Sequence, residues 1–467
     1  DIRALLPLLN DIQINEGIVY DFLLRARVDH TSDTFFQGIS KLAPGSFALV
    51  KSGRLEVSQW YNLKSRVESL ASKKAFQVRN DREHVSKVRE IFNDAVRIRL
   101  RSDVPVGTCL SGGIDSSSIV VTAVSMIPSE ELRNFQSFSA VFGDWFSKDE
   151  TRYIEVVQER CGIQGAYITP TPALLDQMFD HFIESQEEPV TKASPFSQYC
   201  VMQLAHSNGA KVLLDGQGAD EILAGYDFMV GFYLAELLYK GRLSTFLKEA
   251  LVQIKRRNRY AIRTGISQYL PNFLRRFVRV SNPLMNTEFM KKHENRKSLG
   301  RVVMRPPSLR NALIEYVTAY LQHLLKWEDK NSMAFSIETR LPFLDYRLLE
   351  YILALPPSLI IKKGITKWVL REALNGRLPS VIARRTDKIG FATPEYEWLR
   401  AGSVKTITNL RKSIHPKLRE FVNVRLLDHI LRMAPETINA DNWNSVFRVT
   451  ALNSWLHNFF PPDNMNP

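Results

Sequence analysis

Between residues 104 and 214, short apolar runs alternate with stretches in which apolar side chains recur every three to four positions. The run 104–110 reads as a strand that feeds a glycine-rich turn, and a helix follows over 116–126. Three further strands are predicted at 135–142, 166–168 and 211–214, with helices over 150–160 and 172–184. Short apolar strands separated by helical periods predict parallel β-α-β units with helices on both faces of one sheet. Upstream, Val85, Val88, Phe92 and Ala95 share one helical face that ends near Arg101. Residues 1–62 read as β-rich, with short strands at 46–50 and 55–61 between turn residues, and 63–80 reads as a polar linker. Beyond residue 225 the period is helical to about residue 460.

Charge changes this picture in one place. The formal net charge of +13 is concentrated in 240–310, where eighteen Lys and Arg face three Asp and Glu, so the rest of the chain nets −2. Within that segment Leu243, Phe246, Leu247, Leu251 and Ile254 fall on one helical face, with Lys248, Lys255 and Arg256 elsewhere. Ile266, Leu270, Phe273, Leu274 and Phe277 repeat the habit beside Arg275, Arg276 and Arg279. Two readings stay open: helices covering a core with a solvated basic face, or a docking surface for an acidic partner.

Composition narrows the class. With 467 residues, 45% of them hydrophobic and 24% charged, two or three globular domains are expected and disordered or collagen-like readings are excluded. Cys109, Cys161 and Cys200 are too few and too scattered for a disulfide framework or a zinc site, and point to a reducing compartment. No apolar run reaches the roughly 18 residues of a membrane span. The chain starts at Asp1 without Met or a signal pattern, and is expected to be a fragment lacking its natural N-terminus. There is no H-E-x-x-H pattern, no G-x-S-x-G nucleophile pattern and no aromatic-basic string of an RNA-binding module.

Candidate chemistry sits where predicted strands end. In SGGIDSS (111–117) two glycines let backbone N–H groups approach a ligand, a helix N-terminus follows, and Ser111, Ser116 and Ser117 add hydroxyls. That is an anion site. Asp115 fits beside a polyphosphate when Mg²⁺ bridges the two, since hard cations take oxygen ligands. A second strand runs into LLDGQGADEI (213–222), with Asp215, Asp220 and Glu221, and both loops face one crevice at the carboxyl ends of the strands. Asp115 and Asp220 are the candidate Mg²⁺ pair.

These strings make the chain resemble the synthetase domain of the glutamine-dependent asparagine synthetase family. The matching residues are VPVG (104–107), SGGIDSS (111–117), 213–226, EDKNSMAFSIETRLPFLD (328–345) and DKIGFATP (387–394). Residues 1–62 resemble the tail of that family's N-terminal glutaminase domain through TFFQG (34–38) and LAPG (42–45). The resemblance implies an α/β fold: a Rossmann-like parallel sheet of the ATP pyrophosphatase (PP-loop) type with a largely helical C-terminal half, preceded by a β-rich remnant of an Ntn-type glutaminase domain. It implies three segments, the remnant over 1–62, a linker over 63–80 and the synthetase domain over 81–460.

The implied activity is ATP-dependent amide formation. A carboxylate, aspartate in the namesake reaction, attacks Mg·ATP to give an acyl-adenylate and pyrophosphate, and ammonia from glutamine then displaces AMP. By the resemblance, the loop Ser111, Gly112, Gly113, Asp115, Ser116, Ser117 holds pyrophosphate, Leu110, Ala140 and Gly216 seat the adenosine, and Asp215 also belongs to the ATP/pyrophosphate-binding set. Asp115 and Asp220 hold Mg²⁺, and Lys388 neutralises charge growing on the phosphate. Glu338 and Arg340 are read as either carboxylate-facing or structural.

Two departures qualify this. The family glutaminase uses an N-terminal cysteine, which Asp1 is not. Gln217 stands where asparagine synthetases carry glutamate, and an amide cannot take a proton from an attacking amine. The alternatives are therefore a relative that activates another carboxylate, as a β-lactam synthetase or a peptide macrolactam cyclase does, and a non-catalytic nucleotide-binding module. Candidate partners are ATP, the carboxylate and ammonia, with an acidic peptide or protein at 240–310 and a homodimer in addition. A membrane and nucleic acid are not expected, and the expected location is the cytoplasm.

Overall fold

The computed structural model describes residues 1–270, 282–296, 306–387 and 393–462. Its first long element is helical: α1 (Glu16–Arg25) buries Ile18, Val19, Phe22 and Leu23 in a segment expected to be β-rich. A β-hairpin follows, β1 (Ser46–Lys51) antiparallel to β2 (Arg54–Gln59), as the sequence predicts. Residues 63–80, read as a linker, instead form α2 (Leu63–Ser72) and α3 (Lys74–Gln77). Leu63, Val67 and Phe76 are buried and Leu70 packs partly against the same core, so a polar composition hid a one-sided helix pair. Next comes α4 (Asp81–Arg99), started by a capping box in which Asn80 and Glu83 satisfy each other's backbone N–H groups.

The parallel sheet has five strands: β3 (Val106–Cys109), β4 (Ser137–Ala140), β5 (Gly165–Ile168), β6 (Val212–Leu214) and β7 (Glu338–Arg340). Their order is β5-β4-β3-β6-β7. The chain leaves β3 toward β4 on one side and later returns to β6 on the other, so β3 and β6 flank the point where the winding reverses. In such sheets the crevice at the carboxyl ends opens there. α5 (Ile114–Val124), α6 (Thr151–Cys161), α7 (Pro172–Gln186) and α8 (Ser194–Ser207) link the strands. The edge strand β7 escapes the sequence reading because its three residues, Glu-Thr-Arg, hold no apolar run.

Two large cores are formed. One lies around the sheet, α4, α5 and the helices after residue 343. The other joins α1, Phe35 and Phe36 to the C-terminal helix Ala440–Phe459, where Trp455 meets Phe35 at 5.5 Å and Phe36 at 5.1 Å between ring centroids. By contrast β1 and β2 are exposed on both faces, with Phe47, Leu49, Val50, Leu55 and Val57 all open.

The basic segment departs from the core-covering expectation. After α9 (Ala219–Ile222) and α10 (Met229–Tyr239) come α11 (Leu243–Lys255) and α12 (Arg259–Tyr269). On α11 the buried residues are Glu249 and Gln253, while Leu243, Leu247, Leu251 and Ile254 are 56–58% exposed. Phe273, Leu274, Phe277, Arg275, Arg276 and Arg279 lie outside the described residues. Among the described residues no helix is long and apolar enough to cross a membrane.

Candidate nucleotide and carboxylate site

The crevice is built by three backbone stretches. β3 ends at Cys109 and the chain turns through Gly112 at φ +69° before α5 begins. Gly112 is needed twice over: the backbone is left-handed, and a Cβ there would come within 2.6 Å of the Tyr153 Cβ. The Ser111 and Ser116 hydroxyls lie 3.2 Å apart, and Ser116 Oγ also accepts from the Ser111 N–H at 3.2 Å. No side chain caps α5, so its first amides point toward the crevice mouth as donors for an anion. Arg385 locks this loop from behind. It donates to the Gly112 carbonyl at 3.2 Å, pairs with Glu150 at 2.7 Å and stacks on the Tyr153 ring at 4.0 Å.

The second stretch leaves β6 through Asp215, Gly216 and Gln217 into the single turn α9, which carries Asp220 and Glu221. The third is Lys367, just before the helix Trp368–Ala373, a residue with no signal in the sequence reading. Its ammonium reaches Asp115 Oδ2 at 2.5 Å and Asp220 Oδ1 at 2.6 Å, and the residue is only 4% exposed. Lys367 itself adopts a left-handed backbone at φ +56°. Space for this triad comes from Gly225, where a Cβ would overlap Asp220 Oδ1 and stand 2.7 Å from Lys367 Cε.

Together the loops enclose a cavity of about 260 Å³. Leu110, Ser111, Asp115, Ser116, Ala140, Asp215, Gly216, Gln217 and Asp220 all line it, which brings most of the sequence-predicted residues into one place. Gly112 and Gly113 shape the loop without lining the cavity, and Ser117 is fully buried within α5. Lys388 lies outside the described residues. Arg340 is structural: its guanidinium holds the carbonyls of Arg99 and Arg101 at 2.8 and 2.7 Å, and Glu338 pairs with it at 2.7 Å.

The far wall was not read from the sequence. Tyr226, Tyr320, Leu324 and Trp327 line it, with Lys148 and Lys192 also reaching the cavity. Tyr316–Tyr320 is a π-helical turn leading into the helix Leu321–Met333, and Tyr320, Leu324 and Trp327 follow at spacings of four and three that share one helical face. Tyr226 Oη donates to Glu221 Oε1 at 2.5 Å, and burial, then Glu221, hold its phenol well above the ordinary range.

Asp215, which lines the cavity, and the buried Glu328 form a carboxyl pair. Burial first, and then the neighbouring Asp215, push Glu328 well above the carboxylate range. Gln198 donates to Glu328, and the Asp215 carboxylate accepts from the Gly216 N–H at 2.5 Å, which fixes the start of the second loop.

A divalent cation fits this donor set. Asp115 and Asp220 already converge on one point, occupied by the Lys367 ammonium, and both are hard oxygen ligands. Two protein carboxylates with the remaining positions left to phosphate oxygens and water is the usual protein share for Mg²⁺. Among the described residues no group of three or more His, Cys, Asp or Glu could hold a metal alone.

Residues 87–457 match the family described as "Asparagine synthase". The chain is similar to asparagine synthetase (glutamine-hydrolyzing) 1 of Bacillus subtilis, 26% identical over 488 residues covering 97% of this chain and 70% of the relative. It is also similar to Amidase chyE of Penicillium rubens, 26% identical over 391 residues that cover 73% of this chain and 57% of the relative. A third relative, Amidase chry2 of Gibberella zeae, is 26% identical over 431 residues, 82% of this chain and 62% of the relative. The matches thus span 57–70% of the length of these relatives.

Proposed function

The chain belongs to the asparagine synthase family, and from that premise we propose that it is an amide-forming ligase that adenylates a carboxylate with Mg·ATP, then passes the acyl group to ammonia. The products are the amide, AMP and pyrophosphate, with aspartate as the first candidate acid and glutamine as the source of ammonia. The observation that carries this reading is the convergence of Asp115 and Asp220 on one point beside the open N-terminus of α5.

In this reading the amides of the 111–117 loop bind the leaving pyrophosphate, and Leu110, Ala140 and Gly216 seat the adenosine. Asp115 and Asp220 hold Mg²⁺, which when bound offsets the charge of the phosphates. Lys367, released from the two carboxylates, is then free to donate to a phosphate oxygen, and Lys388 stabilises charge that grows during transfer. Gln217 orients the acyl group through its amide and takes no proton. The proton lost by the amine passes instead to the Tyr226–Glu221 pair, whose phenol lines the cavity. The exposed hairpin β1–β2 supports the assignment of 1–62 to a glutaminase-type domain, because two strands open on both faces need further sheet to be stable.

A second reading keeps the chemistry and changes the acid. Tyr226, Tyr320 and Trp327 along the far wall favour a carboxylate larger and less polar than aspartate, and Gln217 agrees with it. Pyrophosphate release from Mg·ATP decides between the readings. Aspartate-stimulated release that yields asparagine only with ammonium supports the first. Stimulation by aryl or peptide acids but not by aspartate supports the second. Release from neither, in a protein whose ATP binding is lost in Asp115→Ala, reduces the chain to a nucleotide-binding module.

A further inference from the structure

α11 and α12 turn polar groups inward. The side chains they bury are Glu249, Gln253, Ala261 and Gln268, three of them polar; Phe246 and Ala250 pack partly against the core, while Leu243, Leu247, Leu251 and Ile254 face outward. The carboxylate and one amide oxygen on the inward side are held by hydrogen bonds. Glu249 accepts from the backbone N–H groups of Lys363 at 2.7 Å and Gly364 at 2.5 Å, and Gln253 accepts from Asn258 at 2.9 Å. The rotation of α11 about its axis is therefore set by hydrogen bonds, and its apolar row is left on the surface.

That row has a definite form. Leu243, Leu247, Leu251 and Ile254 follow at spacings of four, four and three, the seam of a helix that packs against another helix. On α12, Ile262 and Ile266 add a second short row at 36% and 59% exposure. Six half-exposed aliphatic side chains make an apolar patch on the order of several hundred Å², the size at which a surface marks an interaction site. The flanks are cationic: residues 240–270 hold eight Lys and Arg and one carboxylate, Glu249, which is buried. A second copy of this face would bring like charges together, and a helix with acidic flanks would complement both the row and the charge.

We infer that the outward face of α11 and α12 docks an amphipathic acidic helix of a partner protein, with the partner's aliphatic row on Leu247, Leu251 and Ile254 and its carboxylates toward Lys248 and Lys255. The partner lies outside the catalytic crevice, so this docking is independent of which acid is adenylated.

The test uses the whole chain and a synthetic 21-residue helical peptide with a Leu row and Glu flanks, beside the same peptide with Lys flanks. Fluorescence anisotropy at low salt should show the Glu peptide binding at least tenfold tighter than the Lys peptide, with affinity falling as salt rises. The double variant Leu247→Ser, Leu251→Ser alters exposed positions only, and should weaken the Glu peptide at least tenfold while pyrophosphate release stays unchanged. Equal binding of both peptides, no binding, or binding indifferent to the double variant overturns the inference. So does sedimentation with phosphatidylserine vesicles in place of peptide binding, or a concentration-dependent dimer that the double variant abolishes, since each assigns the face to a different occupant.

Discussion

α5 and α11 are helices of 11 and 13 residues, both rich in aliphatic side chains, and the protein treats them oppositely. On α5 the apolar face goes in: Ile119 and Val120 are fully buried, and only the N-terminal turn, with Asp115 and Ser116, meets the crevice. On α11 the aliphatic row goes out and Glu249 and Gln253 go in. The difference lies in where the partners are. Every group α5 needs is supplied by this chain, from β3 to Arg385, whereas the row on α11 is left more than half exposed by the described residues. Hydrophobic pattern predicts burial only when the surface that does the burying belongs to the same chain.

The largest expected effect sets the two helices side by side. Ile119→Ala should cost about 2–5 kcal/mol in urea unfolding, because it opens a cavity in a packed core. Leu251→Ala should shift stability by no more than about 0.5 kcal/mol, the usual range for a surface position. Equal costs would erase the contrast. The self-contained half can be pressed harder at Gly225. One added methyl in Gly225→Ala displaces Asp220 or Lys367, and should cost about 2–3 kcal/mol of stability through overpacking. It should also weaken Mg·ATP binding tenfold or more by calorimetry. Unchanged nucleotide affinity would mean that the Asp115–Lys367–Asp220 arrangement is not needed for binding.

The remaining effect is a pH dependence. Burial lowers His323, in the wall beside Tyr320 and Trp327, from 6.5 to about 4. The unfolded chain binds this proton and the native protein does not, so His323 contributes stability above pH 6.5 that is lost as pH falls through 4. The change should be about 3 kcal/mol, and a His323→Gln protein should show a flatter profile over that window.

What the sequence discloses follows the same division. The passage 104–126 is legible because everything that specifies it is local: an apolar strand, two glycines, hydroxyls and a helix start within two dozen residues. The β6 loop is legible for the same reason, and the crevice follows from the rule for parallel sheets. Lys367 is not legible, since its partners stand 147 and 252 positions away and no local pattern marks a lysine that will be buried. Arg385 escaped likewise, as a long-range clamp on Gly112. The helix α1 is not legible because the helix Ala440–Phe459 that helps to bury it comes from the other end of the chain. The outward row on α11 was seen as amphipathic, yet nothing in a periodicity says which side of a helix will turn toward its own protein.

The ammonium of Lys367 between two carboxylates makes the site an ion exchanger. Before anything binds, the triad carries a net charge of −1 rather than −2, so a bare divalent cation must evict a lysine and gains little for doing so. A cation that arrives already bound to a polyphosphate meets a different exchange, because the displaced lysine finds an anion waiting. Each charge changes partner and none is left alone. Metal and nucleotide should therefore load together, each weak without the other, and the resting protein should be indifferent to free magnesium.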